Sequence, residues 1–118
     1  MLHKTGAAFT TGHVVHGCAN AMYLPYVIKY NSKDPATMKR YAEIARAVAI
    51  EGTDEECMEA LREKINEFNR ILDIPTSLKE FGVPEEEFFE KLPSIADHAV
   101  GDACTGSNPR EITPKQME

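Results

Sequence analysis

The strongest constraint on the fold is an apolar stripe at helical spacing that follows an N-terminal capping signal. Thr53 and Glu56 have the spacing of a capping box, in which each side chain satisfies a free backbone donor of the other residue. The apolar residues behind it recur every three or four positions, namely Met58, Leu61, Ile65, Phe68 and Leu72. This pattern predicts an amphipathic helix that stops at Ile74-Pro75.

Two helices are predicted before this one. The first runs from about His16 to Tyr30, and Pro25 should kink or break it, because proline lacks a backbone donor and its ring clashes with the preceding turn. The second starts at Asp34 and Pro35, which are favoured as N-cap and first helical residue.

Another helix is predicted after the stripe. A short helical turn over residues 77–81 is closed by Gly82. Pro84 then opens a helix whose first residues are glutamates, which are favoured at the positive end of the helix dipole. Pro93 should break this helix.

The C-terminal part of the sequence alternates loop and helix signals. Residues 101–108 form a polar, glycine-containing loop, and Thr113-Pro114 begins a last helix. There is no alternating strand pattern of convincing length and no internal repeat. The sequence therefore predicts an all-α, helical bundle-like fold of about five helices, in one domain over residues 1–118.

Composition excludes several classes of function. The net charge of −6 repels phosphate backbones, so nucleic acid is not an expected partner. No apolar run approaches the roughly 20 residues that cross a bilayer, and no secretion leader is evident. The three cysteines form no CxxC pair, which favours free thiols and a reducing, cytoplasmic location.

Histidines and one cysteine are the candidates for chemistry. His3, His13 and His16 fall within a short stretch, and the spacing of the last two is compatible with a metal on one helical face. Two histidines do not make a site, so partly exposed loop histidines remain the alternative. Cys104 lies in the polar loop without a basic neighbour, and a buried structural cysteine is the expected role.

Particular strings in the sequence carry a more specific signal. The chain resembles the iron-containing alcohol dehydrogenases, and it is most similar to the alcohol-dehydrogenase part of bifunctional aldehyde–alcohol dehydrogenases. The matching strings are HKTGA at residues 3–7, HGCANA at 16–21, LPYVIKYN at 24–31, YAEIA at 41–45 and ACTGSNPR at 103–110. They follow one another in the order of the family and at roughly its spacing.

The resemblance implies a two-domain enzyme that converts a primary alcohol to an aldehyde. The N-terminal α/β domain of the family binds NAD, and its C-terminal domain is all-helical. Iron(II), sometimes replaced by zinc, is bound between the domains by one Asp and three His and polarises the alcohol oxygen. The expectation is that the NAD-binding domain is absent from this chain and that the fragment binds neither cofactor tightly.

Three residues carry over from the family to this chain. His16 matches the last metal ligand, His3 matches a non-ligand histidine near the nicotinamide, and Cys104 matches a cysteine near the substrate and cofactor pocket. The positions of the other ligands precede Met1. Between His3 and His16 this chain has about three extra residues, so His13 keeps the ligand spacing while His16 keeps the following glycine.

Three hypotheses follow from these observations. The first is a C-terminal dehydrogenase fragment that is inactive alone, with a small alcohol or aldehyde as the parent enzyme's substrate. The second is a helical interaction module, or the partner-dependent half of a split enzyme, which binds a partner or self-associates through apolar surface that the missing domain would cover. The third is a small metal-binding protein that uses His3, His13 and His16.

Overall fold

The fold of the protein is all-α, as the sequence predicts. A computed structural model describes residues 16–118. Within that range the chain has no strand, and it forms five α-helices and one short 3-10 helix. They are α1 His16–Asn31, α2 Pro35–Ala47, α3 Asp54–Ile71, α4 Glu85–Val100, the 3-10 helix Ala103–Ser107, and α5 Pro114–Met117. None of these helices has the length and apolar character needed to cross a bilayer.

Helix α1 continues through Pro25, so the predicted break does not occur. Proline has no N–H, and the carbonyl of Ala21 one turn earlier therefore lacks its helical donor. The side chain of Asn69 on α3 replaces that donor, with its Nδ2 2.9 Å from the Ala21 oxygen. Arg62, also on α3, donates from Nε to the carbonyl of Pro25 itself at 2.9 Å.

Helices α2 and α3 begin at the predicted caps. The carboxylate of Asp34 accepts from the backbone N–H of Thr37 at 2.9 Å, and Pro35 is the first helical residue. Thr53 and Glu56 form both hydrogen bonds of the predicted capping box. These local bonds satisfy backbone donors that a helix N-terminus otherwise leaves free.

The ends of α2 and α3 share one geometry. Ala49 and Asp73 adopt positive φ angles of 64° and 54° just beyond the two helices. At α2, the N–H groups of Ala49 and Ile50 donate to Arg46 and Ala45. This is the Schellman arrangement, which usually places glycine at the left-handed position.

The apolar stripe of α3 is only partly covered. Met58 is buried and Cys57 beside it joins Ala42 and Ala45 of α2 in a small core, whereas the later members emerge towards solvent. Phe68 is 51% and Leu72 67% exposed. The helix is therefore amphipathic as predicted, but its C-terminal turns keep an uncovered apolar edge.

The segment between α3 and α4 contains a hydrogen-bonded turn rather than a separate helix. The N–H groups of Gly82 and Val83 donate to Lys79 and Leu78, and Gly82 has a φ of 82°. Glycine closes this turn as predicted, because it adopts a positive φ without a steric penalty.

Helix α4 does not break at Pro93, contrary to the prediction. The carbonyl that loses its donor is that of Phe89, one turn earlier. Phe89 and Pro93 are both exposed, so water can take the place of the missing donor.

The predicted loop 101–108 contains the 3-10 helix, which Asp102 caps by accepting from the backbone N–H of Cys104. Beyond it, α5 begins with a capping box between Thr113 and Gln116. Helix α3 packs against α1 and α2, and α4 packs against α5.

Candidate functional site

The imidazole of His16 is exposed in the first turn of α1. One turn later on the same helix, Asn20 brings its amide nitrogen to 3.1 Å from His16 Nε2. The contact holds the ring against the helix while the side chain stays accessible. An accessible imidazole suits Fe²⁺ or Zn²⁺ as one ligand of a larger set.

The predicted partners of His16 fall outside the described residues. His3 and His13 both precede that part of the chain, so their predicted roles stay predictions. Among residues 16–118, no group of three or more His, Cys, Asp or Glu side chains is arranged to hold a metal ion. Within the described part of the chain, His16 would therefore hold the implied iron only together with ligands from elsewhere.

Cys104 is exposed on the 3-10 helix, so the expectation of a buried structural cysteine is wrong. Capping by Asp102 and a 2.7 Å hydrogen bond from the Ser107 hydroxyl to the Cys104 carbonyl hold the backbone of this segment. The buried thiol is Cys57, which points towards the carbonyls of Ile50 and Gly52. All three cysteines described are free, as predicted.

Cys104 lines a cleft of about 420 Å³ against the second half of α1. Tyr23, Tyr26 and Tyr30 form one side, and Asn108 lies on the other. His16 does not line this cleft, and its position precedes that of Tyr23 by about 10 Å along the helix axis. The structure therefore places His16 in the first turn of α1 and Cys104 on the 3-10 helix against the second half of α1, so the two predicted site residues do not share a cavity.

Polar contacts fasten the Cys104 segment to the end of α1. Asn31 and Asn108 exchange two amide hydrogen bonds of 3.0 and 2.9 Å. Arg110 donates from Nη1 to the carbonyl of Tyr30 at 2.6 Å, and its guanidinium lies 3.9 Å from the centre of the Tyr30 ring. Tyr30 in turn donates its hydroxyl to the carbonyl of Glu111 at 2.7 Å.

We call these residues, Tyr30, Asn31, Asn108 and Arg110, the clasp. The clasp was not predictable from the sequence because its two sides lie almost 80 positions apart in the chain, as the 77-residue separation of the amide pair shows. The available signal was the string that ends in Asn108, Pro109 and Arg110, but a string does not reveal which residues it touches.

A second and larger groove, of about 750 Å³, runs between α1 and α4. Tyr26 and Phe89 line it and are 62% and 60% exposed. Tyr23 stands between the groove and the Cys104 cleft, and its hydroxyl is buried without a hydrogen-bond partner in the described part of the chain. Burial raises the pKa of Tyr23 to about 12, because the charged phenolate is poorly solvated there.

Comparisons with known proteins agree on one family. The sequence model described as "Fe-containing alcohol dehydrogenase family, C-terminal" matches residues 1–118. The NADPH-dependent butanol dehydrogenase of Clostridium saccharobutylicum is 50% identical over 119 residues, which cover 100% of this chain and 29% of that protein. The aldehyde-alcohol dehydrogenase of Clostridium acetobutylicum is 38% identical over 125 residues, which cover 93% of this chain and 14% of that protein.

A solved structure supports the same assignment. The crystal structure of a 1,3-propanediol oxidoreductase superposes with a TM-score of 0.80 and 26% identity, over 98% of this chain and 30% of that one. The chain thus spans less than a third of the length of each of these relatives. The match over all 118 residues and the shared helical fold show that the chain belongs to the Fe-containing alcohol dehydrogenase family and corresponds to its C-terminal part.

Proposed function

We propose that this chain is the helical part of an iron-dependent dehydrogenase that interconverts a primary alcohol and its aldehyde by hydride transfer to a nicotinamide dinucleotide. The observation that carries the proposal is the 50% identity to a butanol dehydrogenase over the whole chain. The sequence-based expectation was NAD, whereas that relative is named for NADPH, so the proposal covers both dinucleotides. The three free cysteines suit a cytoplasmic reaction.

Within this proposal, the three predicted residues have separate roles. His16 supplies one imidazole ligand, and metal binding displaces the Asn20 amide from Nε2, because the lone pair that accepts this hydrogen bond is the one that a metal takes. Iron or zinc, when bound, supplies a Lewis acid for the alcohol oxygen. His3 relays the alcohol proton near the nicotinamide, and Cys104 contacts the substrate and cofactor side through the exposed cleft.

We further propose that the 118-residue polypeptide does not oxidise alcohols by itself. The supporting argument is chemical, because a stable catalytic metal site usually takes three protein ligands and the family resemblance assigns only His16 to this chain. The same argument predicts weak binding of iron or zinc by the isolated chain.

The test is a chimera in which this chain replaces the matching C-terminal residues of the Clostridium saccharobutylicum butanol dehydrogenase. The chimera should oxidise butanol anaerobically with ferrous iron, and the isolated chain should not. In the chimera, His16→Ala should lower both the iron content and the rate by at least tenfold. His98→Ala, which alters another exposed helical histidine, is the matched control and should change neither.

Two results would contradict the proposal. One is a folded chimera that retains iron and full activity with His16→Ala. The other is butanol oxidation by the isolated chain that disappears in His16→Ala, which would mean that this short polypeptide builds a complete site.

A helical interaction module is the second candidate function, favoured by the exposed aromatic side chains along the groove between α1 and α4. It predicts binding of a protein or peptide, or self-association, without catalysis.

The third hypothesis, a small metal-binding protein, predicts that the chain binds a metal ion tightly and in a fixed ratio, and that the His13→Ala, His16→Ala double variant loses this binding. Equilibrium dialysis with Zn²⁺ tests it directly.

A further inference from the structure

The 3-10 helix that carries Cys104 is held from two sides, by two different helices. On one side, the hydroxyl of Thr105 donates to the carbonyl of Ala99 in the last turn of α4. On the other side, Asn108 exchanges two amide hydrogen bonds with Asn31, the last residue of α1. The segment therefore bridges α4 and α1, and the separation of Cys104 from α1 depends on the contact made by Asn108.

The side chain of Asn108 is held in one orientation. Its amide nitrogen donates to the side-chain oxygen of Asn31 at 2.9 Å and to the carbonyl of Arg110 at 2.6 Å, and its oxygen accepts from Asn31 at 3.0 Å. Both hydrogens of the amide nitrogen are thus used, so the amide cannot rotate without losing a bond. Asn31 is buried, and leaving its amide without a partner would be costly.

The same contacts define the wall of the cleft beside Cys104. Tyr30, Asn31 and Asn108 all line this cleft. The guanidinium of Arg110 lies 3.9 Å from the centre of the Tyr30 ring and supports it. Because the amide pair spans from α1 to the segment of Cys104, it sets the width of the cleft between the thiol and the tyrosines of α1.

We propose that Asn108 is a positioning residue for the alcohol substrate. Its amide pair with Asn31 holds Cys104 at a fixed separation from the tyrosines of α1, and this separation sets how tightly the cleft holds the alcohol. The inference rests on the dehydrogenase proposal, which puts the substrate beside Cys104. Loss of Asn108 should change KM rather than kcat, because contacts that are equally strong in the ground state and the transition state affect KM alone.

The position of Cys104 can be measured without catalysis. N-ethylmaleimide and the bulkier fluorescein maleimide add to a thiol by the same reaction, so the ratio of their rates reports how much room surrounds that thiol. In the 118-residue chain, Asn108→Ala should raise the ratio of the fluorescein rate to the ethyl rate at Cys104 about threefold or more, because the segment then moves away from α1. Peptide-resolved mass spectrometry follows each thiol, and the buried Cys57 reports general unfolding.

Asn69→Ala is the matched control for the loss of a buried amide contact. Asn69 also joins two helices, through its bond to the Ala21 carbonyl, but it does not line the cleft. This control should leave the rate ratio at Cys104 unchanged. Asn108→Asp keeps the acceptor for Asn31 and loses both donors, so its ratio should lie between those of the wild type and Asn108→Ala.

The consequence for substrate binding is measured in the butanol dehydrogenase chimera. Asn108→Ala should raise the KM for butanol about fivefold and change kcat by less than about twofold, whereas Asn69→Ala should change neither. An unchanged rate ratio in Asn108→Ala, or equal changes in Asn108→Ala and Asn69→Ala, would overturn the proposal. So would an active chimera in which Asn108→Ala lowers kcat and leaves KM unchanged.

Failure of the dehydrogenase proposal would look different. An iron-loaded chimera without activity would contradict that proposal and with it the effect on KM, while the rate ratio at Cys104 would still decide whether Asn108 positions the segment. If Asn108→Ala exposes Cys57 to labelling, the variant has unfolded, and the ratio in Asn108→Asp then decides the same point.

Discussion

At the scale of single residues, one side chain on α3 compensates a defect in another helix. Pro25 leaves the Ala21 carbonyl without its helical donor, and the buried Asn69 supplies one at 2.9 Å. An unsatisfied buried acceptor costs about 1–3 kcal/mol, which is more than an average hydrogen bond contributes. The bond from Asn69 is therefore expected to stabilise α1 by more than an average hydrogen bond does.

Asn69→Ala should lower the free energy of unfolding by about 1–3 kcal/mol, because the Ala21 oxygen then has no donor. Urea denaturation measures the change, and Asn66→Ala on the same helix controls for helix propensity. In a Pro25→Ala background, where residue 25 regains an N–H for Ala21, the cost of Asn69→Ala should shrink to below about 1 kcal/mol. An equal cost in both backgrounds would show that Asn69 acts independently of the proline.

Tyr23→Phe should leave the protein as stable or more stable by about 1 kcal/mol, since it removes a buried hydroxyl that has no partner in the described structure. The folded-state pKa of about 12 lies above the ordinary value of 10.0. The protonated phenol thus contributes its full stability below pH 10 and loses it as the pH rises through the folded pKa. The variant should gain on the wild type over that interval.

Urea unfolding at pH 7 and over the alkaline range measures both effects of Tyr23→Phe. Tyr26→Phe, at an exposed tyrosine, is the control and should change little. A clear loss of stability in Tyr23→Phe at pH 7 would mean that the hydroxyl makes a hydrogen bond, for example to a bound water.

At the scale of elements, the unusual backbone conformations of this chain lie at the ends of its helices rather than at their starts. Three segments close with a residue at positive φ, but only Gly82 is a glycine, while Ala49 and Asp73 are not. The left-handed conformation costs an ordinary L-residue roughly 1 kcal/mol or more. The turns after α2 and α3 are therefore positions where the fold opposes a local preference.

Ala49→Gly should raise the free energy of unfolding by about 0.5–1 kcal/mol, because glycine adopts the left-handed conformation without steric cost. Gly82→Ala is the reciprocal change and should destabilise by a similar amount. A Cβ at residue 82 would meet no atom within 4 Å beyond the two adjoining residues, so the backbone angle decides that cost. Thermal unfolding of the two variants should give shifts of opposite sign, and shifts of the same sign would contradict the argument.

The helix starts were predictable from the sequence because their signals are local. The cap at Asp34 and the capping box between Thr53 and Glu56 each join residues three positions apart. The continuation of the helices through Pro25 and Pro93 was not predictable. The donor to the Ala21 carbonyl lies 48 residues away, and the Phe89 carbonyl that Pro93 leaves free depends on exposure to solvent.

The candidate site was predictable to a smaller extent. The family strings led to His16 and Cys104, and the structure places both on accessible surface. Their relative position and the exposure of Cys104 depend on the clasp, which joins residues far apart in the chain.

At the scale of the whole molecule, the described chain is two helical groups joined by the clasp. Helices α1, α2 and α3 pack together, and α4 packs with α5. The Asn31–Asn108 amide pair and the contacts of Arg110 with Tyr30 connect the segment between α4 and α5 to the end of α1. The clasp therefore ties the C-terminal group to the rest.

Arg110→Ala should loosen the C-terminal group without loosening the helices that pack around α3. Amide hydrogen exchange should quicken at least fivefold in residues 101–117, while α2 and α3 exchange at wild-type rates. Lys115→Ala removes the same charge from α5 outside the clasp and should have little effect. Uniformly faster exchange in Arg110→Ala would show that the two groups unfold as one unit.

The proline in α1 also bears on how this helix could be reused in protein engineering. A designer who transplants α1 into another scaffold carries over a carbonyl whose donor is encoded 48 residues downstream. The smallest portable unit is consequently α1 together with α3, including Arg62 and Asn69. A graft of α1 alone would need a replacement for Pro25.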